Sequence, residues 1–280
     1  MSLATLREVL TPCLTDGTAV AGLVVLGWED AVAFVRAAEA EGRPVILQAG
    51  PGCRAHTPLP VLGAMFRTLA EGAAVPVVAH LDHGEDLATC RMAIDCGFTS
   101  VMYDGSALPF AENVARTAEI VEMARSRGVS VEAELGFVGY QGGRQSVGTD
   151  PAEVTRFAAE TGVDALAVSV GNSHLMTVPG AEIDMARLVA IMQGAPDLPL
   201  VIHGGSGLSG DVRRAIARET TVAKFNIGTE LRMAFGAALR RAVTVNPDRF
   251  DRVQILRETI APVTAAARRA IASLHGPDGA

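Results

Sequence analysis

The sequence has little of what a secreted, membrane-bound or nucleic-acid-binding protein needs. Its four cysteines, Cys13, Cys53, Cys90 and Cys96, show no C-x-x-C spacing and follow no secretory segment. They read as reduced, packed thiols, which points to the cytoplasm. No apolar run approaches the ~20 residues that span a bilayer, and the stretch 19–26 falls far short, so no membrane partner is expected. Basic residues are outnumbered, with Lys+Arg 24 against Asp+Glu 31 and a formal net charge of −7. A phosphate-backbone footprint needs clustered Lys and Arg. The arginine-rich sequence here, Arg240 and Arg241 and then Arg268 and Arg269, falls on helical patterns, so no nucleic acid is expected. No Pro/Gly/Ser-rich linker or charge block divides the chain, which reads as one domain over 1–280 with a C-terminal helical tail from about residue 247. Neither a P-loop nor G-x-G-x-x-G opens the first βα unit, which lowers the case for a doubly wound nucleotide-binding sheet.

What is present is a repeated alternation. Hydrophobic residues make up 49% and charged residues 20%, the balance of a soluble globular enzyme. Eight short runs read as strands: AVAGLVVL from Ala19, PVILQA from Pro44, PVVAHLD from Pro76, TSVMYD from Thr99, VSVEAELG from Val129, VDALAVSVG from Val163, LPLVIHGG from Leu198 and VAKFNIG from Val222. They are apolar on nearly every residue, as strands of a parallel sheet covered by helices must be. Amphipathic segments at 29–41, 59–71, 86–96, 110–127, 151–161, 184–192 and 210–218 supply the crossovers. Eight such units close into a (β/α)8 barrel, an α/β fold.

In that fold the working groups sit at the C-terminal ends of the strands. His80, Asp82 and His83 end the third strand, Asp104 the fourth, Glu132 and Glu134 the fifth, Asn172 and His174 the sixth, His203 the seventh, and Asn226 and Thr229 the eighth. Of the six histidines, only His56 and His275 fall elsewhere. Three neutral imidazoles suit Zn2+ with an open coordination position for water or a substrate oxygen; cobalt, iron or manganese would also fit. Two glycine-rich turns, His203-Gly204-Gly205-Ser206-Gly207 and Asn226-Ile227-Gly228-Thr229, follow strands seven and eight, where backbone N–H groups at helix starts hold phosphate. The plainer account of those turns is glycine at positive φ.

The stretches AHLDHGED, AIDCGFTSVMYDGSALPFAENV, GVSVEAELG, VDALAVSVGNSHL, LVIHGGSG and AKFNIGTELRMAF, in that order, resemble the class II fructose-bisphosphate and tagatose-bisphosphate aldolases over nearly the whole chain. The resemblance implies that His83, His174 and His203 hold one catalytic zinc, with room for a monovalent cation nearby. It implies that Asp82 exchanges a proton with the C4 hydroxyl of a ketose and that Asp104 and Glu134 hold the metal in an alternate position. Gly204, Ser206, Asn226 and Thr229 would contact the ketose and its C1 phosphate, with Gly205 and Gly228 completing the two turns. The implied partners are a small sugar phosphate and further copies of the chain, as homodimer or homotetramer.

Three departures all touch the substrate rather than the metal. Leu175 stands where the family has Gly directly after the zinc histidine. Val178 stands where many members carry a phosphate-facing Lys. The loop after the fifth strand reads ELGFVGYQGGRQS, without the usual glutamate near Gly142, so Tyr140 or a water is left to serve C3. Other readings stay open at this point: an unphosphorylated ketose, a non-catalytic or regulatory homologue, or a zinc hydrolase using Asp82 or Glu134 as base.

Overall fold

The structure, a computed structural model, describes residues 2–275. Its elements run β1 (Leu3–Ala4), α1 (Leu6–Asp16), β2 (Val20–Val24), α2 (Trp28–Glu41), β3 (Val45–Ala49), α3 (Pro51–His56), α4 (Leu59–Gly72), β4 (Val77–Gly84), α5 (Leu87–Asp95) and β5 (Ser100–Tyr103). They continue α6 (Phe110–Arg125), β6 (Ser130–Leu135), α7 (Pro151–Thr161), β7 (Ala165–Val168), α8 (Met185–Gly194), β8 (Leu200–Ile202), a 3-10 turn (Gly205–Gly207), α9 (Gly210–Glu219), β9 (Val222–Ile227), α10 (Thr229–Val245) and α11 (Arg252–Ala272). Strands β2 to β9 pair in parallel with their sequence neighbours, and β2 also pairs with β9, which closes the (β/α)8 barrel. The eight expected strands are these eight. The expected crossover helices are α2 and α4 to α9, displaced by no more than two residues at their ends.

Three elements were not foreseen. Strand β1 adds beside β4 at the lower rim, in register Leu3 with Val77. Helix α1 opens on a reciprocal cap in which Glu8 N–H donates to Thr5 Oγ1 at 3.3 Å and Thr5 N–H donates to Glu8 Oε2 at 2.7 Å. It stops at Gly17, whose φ of 61° is left-handed. Short α3 starts with Pro51 at its first turn. Helix α10 follows β9 directly, and the expected tail from about residue 247 is α11, which lays Thr259, Val263, Ala266, Ala267, Ala270 and Ile271 against the body of the protein, α2 included. The last five residues of that tail lie outside the described residues.

The core has two compartments. Between strands and helices pack Phe34, Phe66, Phe98 and Phe157 with the outward-facing aliphatics. Inside the barrel, the lower layer is Val20, Ile46, Val78, Met102, Ala165, Ala167 and Val201, and α1 seals it with Leu6, Val9 and Leu10. Above that seal the interior turns polar, with Gln48, His80, Ser100, Glu132 and Lys224 fully buried. Among the described residues no helix is long and apolar enough to cross a membrane.

Leu10 is fully buried in the plug and far from the polar mouth. Leu10→Ala should therefore cost about 2–5 kcal/mol of stability by denaturant titration, with KM unchanged. A loss under about 1 kcal/mol would show that α1 is not a structural seal.

Candidate metal and substrate site

The polar residues meet at the upper mouth because each strand end is bent or tethered to aim them. Along a regular strand Asp82 and His83 would point to opposite faces. Here the register of β4 on β5 shifts between Leu81 and Gly84, and His83 takes a left-handed φ of 51°, so both side chains reach the mouth. Arg54 of α3 holds this bend: its guanidinium donates to the carbonyls of Ala49 at 2.9 Å, Asp82 at 2.6 Å and His83 at 2.9 Å.

His174 lies in the loop beyond the C-terminal end of β7. Asn172 ties that loop to the next strand, donating through Nδ2 to His203 O at 3.0 Å and accepting from Val170 N–H at 2.8 Å. The loop after β6 docks on it, with His174 N–H donating to Gly139 O at 2.8 Å and the Tyr140 ring stacked on His174 at 4.9 Å. Leu175 follows at φ 62°, a left-handed conformation that costs a residue with a Cβ roughly 1–2 kcal/mol.

The three imidazoles converge, with ring centroids 5.5 Å apart for His83–His174, 4.8 Å for His83–His203 and 5.7 Å for His174–His203. Ligand atoms of all three lie within 4.8 Å of one another, and so do those of His83, Asp104 and Glu134. The remaining contacts fix which atoms are spare. His83 Nδ1 is paired with Asp104 Oδ2 at 2.8 Å, and His203 Nε2 with Glu132 Oε1 at 3.0 Å. His174 Nε2, His203 Nδ1 and Glu134 Oε2 are buried without a hydrogen-bond partner. Orphaned buried polar atoms are costly unless something fills the space between them. Three nitrogens facing one point, with carboxylates beside them, fit a divalent cation.

The electrostatics fit the same group. Burial would lower the His83 imidazole, but Asp82, Asp104 and Glu134 outweigh it and push His83 up to about 10. Burial, then the His83 charge, lowers His174 to about 4 and holds His203 well below its ordinary value. Burial, then the Asp104 charge, raises Glu134 to about 8. A protonated His83 thus occupies the electrostatic role of a cation among carboxylates.

Beside these atoms is a cavity of about 290 Å³ lined in part by Gly50, Asp82, His83, Tyr140, His174, Leu175, Gly204, Ser206, Asn226, Gly228, Thr229 and Arg232. Asp82 is held by Asn226, whose Nδ2 donates to Oδ1 at 3.2 Å. Gly204 has φ 69°, and a Cβ there would meet Ser173 O at 2.2 Å, so only glycine lets the two loops close. Ser209 caps α9 by accepting from Val212 N–H, whereas Gly228 has no side chain to cap α10; Ser206 Oγ instead accepts from Glu230 N–H at 3.3 Å, and Gly228 and Thr229 line the cavity. The helix start that borders the cavity is therefore that of α10. Gly205 packs against β9, where a Cβ would meet Asn226 O at 3.0 Å, and is not among the residues lining the cavity. Val178 is exposed and also away from it. Sequence reading missed Arg54 and Arg232, for no motif marks a residue that acts on backbone carbonyls or from the second turn of a helix.

The family described as Fructose-bisphosphate aldolase class-II matches residues 4–278. The fructose-bisphosphate aldolase of Geobacillus stearothermophilus is 38% identical over 264 residues, 91% of either chain. The crystal structure of the YdjI aldolase from Escherichia coli K12 superposes with a TM-score of 0.85 at 32% identity over 97% of both chains. A fructose-bisphosphate aldolase from Campylobacter jejuni, 22% identical, shares the fold at a TM-score of 0.80, covering 98% of this chain and 95% of its own.

A metal ligand must be deprotonated, so metal entry has to expel the proton that His83 carries below about pH 10. Zinc affinity should rise with pH across the neutral range, and calorimetry in buffers of different ionisation enthalpy should show about one to two protons released per zinc near neutral pH. The second proton would come from Glu134, raised to about 8. A binding enthalpy independent of buffer would contradict this.

Proposed function

The chain belongs to the class II fructose-bisphosphate aldolase family and is an aldolase, a carbon–carbon lyase, and on that premise we propose that it cleaves the C3–C4 bond of a ketose phosphate. The products would be dihydroxyacetone phosphate, or a close analogue, and an aldehyde. The observation that carries this is the convergence of three imidazoles beside a cavity lined by Asp82 and by Gly228 and Thr229 at the start of α10.

In this reading His83, His174 and His203 hold zinc, with Asp104 and Glu134 able to take it in a second position beside His83. The bound ion supplies Lewis acidity that draws electron density toward the ketose carbonyl. Asp82 takes the C4 hydroxyl proton as the C3–C4 bond breaks; the C4 oxygen becomes the aldehyde carbonyl and the bond's electron pair stays with the C3 fragment. Asn226 keeps the Asp82 carboxylate in place at 3.2 Å. The N–H groups at the start of α10, Gly228 and Thr229 with Ser206 and Gly204, receive the C1 phosphate. Arg232 lines the same cavity and brings a positive charge that Val178 lacks. Tyr140 covers His174 and limits water entry from the loop side; it or a water then serves C3.

The free cysteines support a cytoplasmic enzyme, and the sequence supports one domain over 1–280. Exposed Val245, Phe250 and Val253 on the α10–α11 pair support assembly as a homodimer or homotetramer. A second reading, an unphosphorylated ketose, is favoured by one observation: Leu175, at left-handed φ, narrows the cavity where a glycine would open it.

A coupled assay over ketose phosphates with added zinc should show cleavage that EDTA abolishes; no EDTA-sensitive cleavage of any of them would refute the reaction. Asp82→Asn should lower kcat by about 10²–10⁴ with zinc content unchanged. Arg232→Met should raise KM for a phosphorylated ketose roughly 10-fold, the scale of one charged hydrogen bond. An equal effect on phosphorylated and unphosphorylated ketoses would remove the phosphate from this account and favour the second reading.

A further inference from the structure

Lys224 is the only lysine in the chain, the other Lys+Arg side chains all being arginine. It is fully buried on β9, inside the barrel and below the histidine cluster. A compact point charge fits there, and a planar guanidinium does not replace it atom for atom. Its Nζ donates to Glu132 Oε2 at 2.5 Å and reaches His80 Nε2 at 3.3 Å. His80 Nδ1 is 2.8 Å from Ser100 Oγ, and Glu132 Oε1 is 3.0 Å from His203 Nε2. Lys224, His80, Ser100, Glu132 and His203 are all buried.

The direction of each hydrogen bond follows from Lys224. An ammonium only donates, so His80 Nε2 accepts, and His80 Nδ1–H donates to Ser100. A carboxylate paired with an ammonium only accepts, so His203 Nε2–H donates to Glu132 Oε1. That leaves the lone pair of His203 on Nδ1, which is buried without a hydrogen-bond partner, 3.7 Å from Glu134 Oε2, in the cluster with His83 and His174. We propose that Lys224 is a positioning residue: acting through Glu132, it locks His203 in the Nε2–H tautomer and so commits Nδ1 to the metal. The proposal rests on the reading of His203 as a metal ligand for its consequence, while the tautomer itself does not.

The test uses the full-length protein labelled with 15N-histidine. In chelator-treated wild type, the His203 signals, assigned by their loss in His203→Gln, should show a protonated Nε2 and a bare Nδ1. A protonated Nδ1 overturns the proposal, whether or not the protein binds zinc. Lys224→Met with Glu132→Gln removes the ion pair without stranding a buried charge. Because a glutamine can offer His203 either a donor or an acceptor, the double variant should show mixed tautomers and bind zinc about 10–100-fold more weakly against a chromophoric chelator. Zinc affinity within twofold of wild type, with a single His203 tautomer, overturns it. If that variant does not fold, the wild-type spectrum alone decides. Wild type that shows the Nε2–H tautomer yet takes up no zinc would sink the metal reading and leave the tautomer lock standing.

Discussion

Carboxylates crowded into a closed barrel are the constraint on which the rest of the site depends. Asp82, Glu132 and Glu134 are buried, Asp104 stands at their edge, and the barrel offers no bulk water to separate them. Isolated charges in such a place are several kcal/mol too costly, so each must be paired, protonated or given to a cation. Lys224 answers for Glu132, a proton answers for Glu134, and the raised His83 answers for Asp104. A divalent ion among the histidines would do the work of the last two at once. It needs the lone pairs that His174 and His203, kept neutral by burial, already present.

The fold makes that crowding possible by separating two tasks. The lower half of the barrel is aliphatic and sealed by α1, which gives the strands a rigid base. The upper half is polar, and its geometry comes from irregularities rather than from regular strands: the shifted register at His83, the Arg54 clamp, the Asn172 tether and the glycine contact at Gly204. Strain at His83 and Leu175 is stored where the chemistry is, as it is in many active sites.

The eight strands were legible because a parallel strand covered on both faces must be apolar throughout, and the crossover helices because their period is clean. Four of the six histidines fell at strand ends, which marked the mouth before any coordinates did. Helix α1 was legible in principle from Thr5 and Glu8, spaced as a reciprocal cap, but it precedes the first strand and belongs to no βα unit. Convergence was not legible. Nothing in the sequence says that His83 turns left-handed, that the loop carrying His174 docks on Gly139, or that Gly204 packs against Ser173 while Gly205 packs against β9. Those facts depend on contacts between segments far apart in the chain, such as Gly204 against Ser173 and Asn172 against His203.

The central claim is that one divalent ion sits among His83, His174 and His203. Anomalous diffraction at the zinc edge, from crystals grown with zinc, tests it most directly. The account predicts one strong peak about 2.0–2.1 Å from His83 Nε2, His174 Nε2 and His203 Nδ1. No peak at the mouth, or a peak bonded to other atoms of the chain, would contradict it.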